Sequence, residues 1–250
     1  MTAPLPMMAP DVGVEGVAVR VTTRLGGVSA VPYSSLNLGD HVNDQISAVR
    51  INRERLQAAL DLPPVAWLNQ VHGCRVVQAN AETIPEADAQ WTTGAGQPIA
   101  VLTADCLPVV LVSHDAACVG VAHAGWRGLA AGVLQALIAG MPAPPSQLTA
   151  WLGPAISPAA YEVGPEIRDA FTQSMGSACH ACFAPSLARP GHLMADLFSL
   201  ARLALESAGV GIITGGDCCS YADADRFFSH RRDGPATGRF ATLVWRVAPQ

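Results

Sequence analysis

The sequence predicts an α+β protein, or an α/β one with segregated layers, built on mixed β-sheet. Two observations predict it. Short runs rich in β-branched residues recur along the whole 250-residue chain. Some are joined by tight turns and others are separated by stretches with helical spacing. With 50% of its residues hydrophobic, the chain has ample material for a buried core, which argues against disorder.

In chain order, strands are predicted over residues 17–21, 76–77, 99–103, 109–112, 119–122, 148–152, 210–213 and 242–247. Helical spacing runs from Ile46 through Val49, Arg53 and Leu56 to Leu60, again over 129–139, and again from Leu197 through Leu200 and Ala204 to Ser207. Asp44 and Asp196 stand where caps of the first and last of these would fall. The proline-rich stretch 141–145 reads as a loop, because strand-like sequence resumes at Leu148. There is no internal repeat, and residues 1–250 read as one domain.

Composition narrows the function. Only 14% of residues are charged and the net charge is −5, so no basic footprint for nucleic acid or an anionic membrane is present. All 15 basic residues are arginine, which excludes a Schiff-base lysine and a Walker-type phosphate loop, since both need an ε-amine. Residues 1–10 have neither a basic n-region nor an apolar h-region and do not read as a signal peptide. The apolar stretch 99–112 is interrupted by Asp105 and Pro108 and is too short to span a bilayer. Seven cysteines, an odd number scattered over the chain, argue against a disulfide framework and point to the cytoplasm.

Three segments carry the chemistry. Asn69-Gln-Val-His-Gly73, Thr103-Ala-Asp-Cys-Leu-Pro108 and His123-Ala-Gly-Trp-Arg-Gly128 each place a metal-competent side chain beside glycine or proline at the end of an apolar strand. His72, Cys106 and His123 together would make a three-ligand set suited to zinc, with the fourth tetrahedral position open for water or substrate. The same residues also suit a nucleophilic pair, Cys106 activated by His123 and oriented by Asp105. Spacing this wide carries no local metal signature and does not decide between the two.

Further along, two glycines flank Trp126 and Arg127 just before the second helical stretch. Backbone N–H groups and the Arg127 guanidinium at a helix start would form an anion site, for instance for phosphate; a tight strand-to-helix turn is the alternative use of the glycines. Ser229-His-Arg-Arg-Asp-Gly234, with Arg239 beyond it, is a second arginine cluster suited to phosphate or carboxylate, or else a solvated turn. Cys179-His-Ala-Cys182 and the Cys218-Cys219 pair suggest a second metal centre only weakly, because one Cys-x-x-Cys lacks a matched partner. Asp105 and Glu162 are candidates for a general acid.

Read together with Thr23-Arg-Leu-Gly-Gly-Val-Ser29, Ser35-Leu-Asn-Leu-Gly39, Trp151-Leu-Gly-Pro-Ala-Ile156, Tyr161-Glu-Val-Gly164 and Phe227-Phe-Ser-His-Arg-Arg-Asp-Gly234, these segments closely resemble the laccase-domain family. Its members have been called multicopper polyphenol oxidases, purine nucleoside phosphorylases with adenosine deaminase activity, and peptidoglycan editing factors. The resemblance runs from about Val19 to Trp245. It implies a layered sandwich of mixed sheets flanked by helices, similar to the catalytic domain of cytotoxic necrotizing factor. It also implies that His72, Cys106 and His123 hold the metal, that Arg127 lies in the active-site turn, and that Asn37 and Arg231 match motif positions for substrate contact.

The chemistry so implied is zinc-dependent phosphorolysis of purine nucleosides with deamination of adenosine. The partners are then purine nucleosides and phosphate, with no nucleic acid and no membrane. Three alternatives stand beside it. One is a cysteine-dependent amidase or cell-wall precursor editing enzyme, and another is a zinc-stabilised module without catalysis. The third, a copper oxidase of phenols, needs several coppers and many histidines, whereas the chain has seven. The chain departs from the family pattern in a longer loop over 233–237 and in His230, where tyrosine is also common. Both bear on substrate preference.

Overall fold

The computed structural model describes residues 5–248; residues 1–4 of the N-terminal stretch read above lie outside it. Strands are numbered in chain order. An antiparallel sheet of four runs β1 (Met7–Met8), β2 (Val17–Thr22), β13 (Phe240–Arg246), β5 (Ile99–Thr103). A second sheet of six runs β12 (Ile212–Gly215), β8 (Leu148–Leu152), β6 (Leu107–Ser113), β7 (Val119–Ala124), β4 (Ala89–Thr92), β3 (Val76–Gln78). Its outer pairs are parallel and its inner pairs antiparallel, so it is mixed. A small third sheet joins β10 (Phe183–Pro185), β11 (Leu193–Ala195) and β9 (Glu162–Val163).

Strand parity builds the layers. On β6, Leu107, Val109 and Leu111 face one way and Val110 and Val112 the other, the two-residue period of a strand. The first set packs on α3 (Val133–Gly140), α4 (Pro165–Met175) and α5 (Leu197–Ser207) through Leu134, Leu137, Phe171 and Leu200. The second meets Val21, Val101 and Phe240 of the four-stranded sheet. That sheet's far face, with Ala100, Leu102, Leu243 and Trp245, is covered by Leu36 and Leu38 of the loop after β2 and by Leu56 of α1 (Ile46–Leu60). The order is helices, sheet, sheet, helix, the layered sandwich that the resemblance implied. Among the described residues no helix is long and apolar enough to cross a membrane.

Local chemistry moved several predicted boundaries. The stretch 129–139 is not one helix but two, α2 (Trp126–Ala130) and α3, because Gly132 between them sits at φ 88°, in the left-handed region. The strand expected over 210–213 starts late, at Ile212; the Val210 N–H instead closes the turn after α5 on the Leu205 carbonyl at 3.0 Å. Asp44 does not cap α1. Gln45 holds that position, and the Asp44 carboxylate accepts from the Ser29 hydroxyl at 2.7 Å and the Asn37 amide at 2.9 Å. Asp196 caps α5 as predicted, accepting from the N–H groups of Phe198 and Ser199. Helix α4 had no strong signal, since its core side is little more than Ile167 and Phe171.

Two crossings position the site. The turn 104–106 carries the chain from β5 in one sheet to β6 in the other, and β7 runs from the second sheet into α2 through Gly125.

Candidate metal centre and active site

Those turns bring His72, Cys106 and His123 together, with one ligand-competent atom from each lying within 4.8 Å of the others. His72 occupies a loop at φ 62°, and its Nε2 is 3.9 Å from Cys106 Sγ. His123, on β7, is almost wholly buried, and the two imidazoles meet edge to face with centroids 4.7 Å apart. Gly125 makes the gathering possible: a Cβ there would stand 2.8 Å from Cys106 Sγ and 3.2 Å from His72 Cδ2. A thiolate and two imidazoles around a space that one methyl group would fill suit a borderline-soft metal ion.

Burial works against a Cys106 thiolate, but the charge of His123 and bonds from both histidines outweigh it and bring the thiol down to about 6. His123 moves the other way. Burial disfavours its charged form, yet Cys106 and Asp88 prevail and raise it to about 9. Both shifts run toward a thiolate beside an imidazolium when no metal is bound.

The carboxylate on His123 is Asp88, 2.8 Å from Nδ1, and not Asp105 as the sequence suggested. Burial would raise the Asp88 pKa, but the His123 bond keeps it below the usual carboxylate range. Asp105, at φ 92°, is turned away from the imidazole. It accepts from the hydroxyls of Ser220 at 2.7 Å and Ser229 at 2.9 Å and from the Arg231 N–H at 2.7 Å. It ties the Cys106 turn to the arginine segment instead. The Glu162 carboxylate is engaged by Ser186 and Arg189 and does not line the cavity beside the trio.

That cavity measures about 430 Å³ and is lined by the trio together with Arg127, Arg231 and Arg239. Arg127 lies over the Trp126 ring, 4.3 Å from its centroid. Arg231 lies over Tyr161 at 5.3 Å and donates to the Glu162 carbonyl at 2.8 Å. Leu102, Ile156 and Leu197 supply apolar wall, and His41 and His230 further imidazoles. The cavity does not include Asn37. That residue is fully buried; its Oδ1 accepts from the N–H groups of Gly39 and Arg239, both at 2.9 Å, and its amide donates to Gly39 O and Asp44. It holds Arg239 in place from behind.

Residues 18–247 match the family described as multi-copper polyphenol oxidoreductase laccase. The chain belongs to this family. It is 49% identical to a purine nucleoside phosphorylase of Pseudomonas aeruginosa, covering 90% of this chain and 91% of that one. It is 45% identical to one of Escherichia coli over 93% and 95%. Among solved structures, a protein of family DUF152 from Neisseria meningitidis matches with a TM-score of 0.91 at 46% identity, covering 97% and 99% of the two chains. The protein YlmD of Geobacillus stearothermophilus matches at 0.83 and 32%, over 94% and 93%.

The laccase in the family's description finds little support in this member's donor set. Among the described residues, His72, Cys106 and His123 are the one group of three or more side chains arranged to hold a metal. The Cys179–Cys182 segment forms no such group: the Cys179 thiol donates to the Gly176 carbonyl, and His180 bonds the Thr172 hydroxyl. Cys219 is likewise engaged, accepting from the N–H groups of Ser157 and Ala222. Sequence reasoning missed Asp88. The only signal was an acidic residue framed by alanines at the mouth of β4.

Proposed function

We propose that the chain is a zinc-dependent purine nucleoside enzyme that phosphorolyses adenosine, inosine and guanosine and deaminates adenosine. One observation carries the reading: a single cavity of ligand-binding size is lined both by the metal-competent trio and by three arginines. The relatives at 45–49% identity are named purine nucleoside phosphorylases, which supports the phosphorolysis. Zinc held by His72, Cys106 and His123 supplies Lewis acidity to the site.

The chain's own residues do the rest. Arg127, Arg231 and Arg239 bind and orient phosphate, which guanidinium groups recognise through charge and paired donors. Trp126, Tyr161 and the aliphatic wall lie against the purine and exclude water. In phosphorolysis the bond from C1′ to the base breaks as a C1′–O bond to phosphate forms, and the departing base takes a proton. His41 and His230 line the cavity and can deliver it. In deamination, oxygen from water replaces the C6 amine, which leaves as ammonia. C6 and C1′ lie too far apart for one rigid pose, so either the nucleoside binds in two orientations or the site positions different nucleophiles in turn. The seven free cysteines support a cytoplasmic address.

The test is to assay chelated and zinc-restored protein on adenosine with and without phosphate. Phosphate-dependent release of adenine, phosphate-independent release of ammonia, and loss and recovery of both with zinc are expected. Full turnover by verified metal-free protein would overturn the reading. It would promote a cysteine hydrolase, for which the Asp88–His123 bond beside Cys106 is the favouring observation. That mechanism leaves a covalent substrate adduct on Cys106, visible by mass. His72 favours the zinc reading, because a Cys-His pair does not require a second imidazole.

A further inference from the structure

Both histidines of the trio hang on one side chain. Asp88 is wholly buried at the entrance to β4. Its Oδ1 accepts from the His72 N–H at 2.9 Å and stands 2.8 Å from His123 Nδ1, while its Oδ2 accepts from the N–H groups of Val71 at 3.2 Å and Gly73 at 2.7 Å. Its main chain is tied as well: the carbonyl accepts from the His123 N–H at 2.7 Å, and the N–H donates to the Arg75 carbonyl at 3.0 Å.

We propose that Asp88 is a positioning residue for the metal centre, a single carboxylate that sets the ring of His123 and the backbone carrying His72 at once. The inference rests on the metal reading of the site given above. An ionised carboxylate only accepts, so Nδ1 of His123 carries the hydrogen and Nε2 keeps its lone pair on the side away from Asp88. His72 sits at φ 62°, a conformation that a residue with a Cβ holds only when its surroundings impose it. Three consecutive N–H groups converging on one carboxylate impose it here. A carboxylate that merely oriented a Cys-His nucleophile would need the His123 bond alone; the bonds to residues 71–73 serve His72, and His72 matters to a metal. All four contacts require acceptors. Asparagine would turn its NH₂ either toward His72 and His123 or toward Val71 and Gly73, and so lose one pair.

The experiment compares wild type and Asp88→Asn, both as full chains freed of metal and checked for fold by near-UV circular dichroism. Zinc affinity is read by competition with a chromophoric chelator, and the ligand field from the visible spectrum after cobalt loading. Removing such an orienting partner weakens metal binding about 10–100-fold. That loss is expected, with the thiolate-to-cobalt charge-transfer band retained because Cys106 still binds, and with the ligand-field bands displaced. A zinc affinity within about twofold of wild type would overturn the proposal, a change far below that expected for a lost orienting partner. Should Asp88→Asn not fold, ¹⁵N-histidine spectra of zinc-loaded wild type decide instead. An Nδ1–H tautomer of His123 is expected, and metal on Nδ1 would overturn the inference. If wild type itself takes up no zinc, the metal reading fails, which is a different result from zinc binding equally well to both proteins.

Discussion

At Cys106 the outcome depends on what covers the sulfur. In metal-free protein the thiol, brought down to about 6, should react with iodoacetamide at a rate that follows the thiolate, falling as pH drops through about 6 and level above it. Zinc should protect it, since a bound thiolate is shielded. Alkylation that rose only near the ordinary thiol range would remove the thiolate–imidazolium pair from the account. Cys106→Ala or His123→Ala should also abolish stoichiometric zinc by elemental analysis. Arg127 acts elsewhere in the cavity, and Arg127→Ala should raise the KM for phosphate by one to two orders of magnitude, the worth of a lost charge-assisted contact of roughly 1.5–3 kcal/mol. Zinc content should stay the same; an unchanged phosphate KM would leave the anion role without support. Each member of the trio stands within two residues of glycine or proline, which marked it as a candidate, but the family resemblance and not the spacing joined the three. Asp88 was not legible, because its partners are 15 to 35 residues away and nothing local marks a carboxylate as buried.

Among the elements, the short α2 packs under the His72 loop, and its own Gly128 and the Gly132 beyond its end do different jobs. A Cβ on Gly128 would stand 2.7 Å from the Gly73 carbonyl, so Gly128→Ala should push the His72 loop off the helix and weaken zinc binding. Gly132, at φ 88° with no atom nearer than Gln135 Oε1 at 3.6 Å, faces a conformational cost instead. Gly132→Ala should lose about 1–2 kcal/mol of stability and keep its zinc affinity. Equal effects of the two substitutions on zinc would contradict this division. The sequence showed the glycines but not their purposes: close approach depends on which loop folds over the helix, and that loop lies some fifty residues earlier in the chain. For the same reason the stretch 129–139 read as one helix, its apolar spacing continuing across a residue whose backbone turns the other way.

For the molecule as a whole, the two sheets are held face to face by a buried core of their own. Phe240 is fully buried there among Val101, Val110 and Val121 and lies 4.9 Å, centroid to centroid, from Phe227. Phe240→Ala should cost about 3–5 kcal/mol by denaturant titration, above the cost of Gly132→Ala. A loss under about 1 kcal/mol would mean that the layers repack freely. Alternation along β6 made the two-faced sheet readable. Which sheet β5 would join was not, since hydrogen-bond pairing between distant strands leaves no local trace. The crossing of residues 104–106 from one sheet to the other has a mechanical result. Cys106 sits on the strap between the layers and His123 on the six-stranded sheet, while the His72 loop is tied to that sheet's side through Asp88 and to β5 through Gln70, whose side chain pairs with the Leu102 main chain. An ion gripping all three would act as a dowel added to those ties, and emptying the site would loosen one sheet against the other without parting them. Amide exchange in β5 and the strap should therefore quicken on chelation well before the helices loosen.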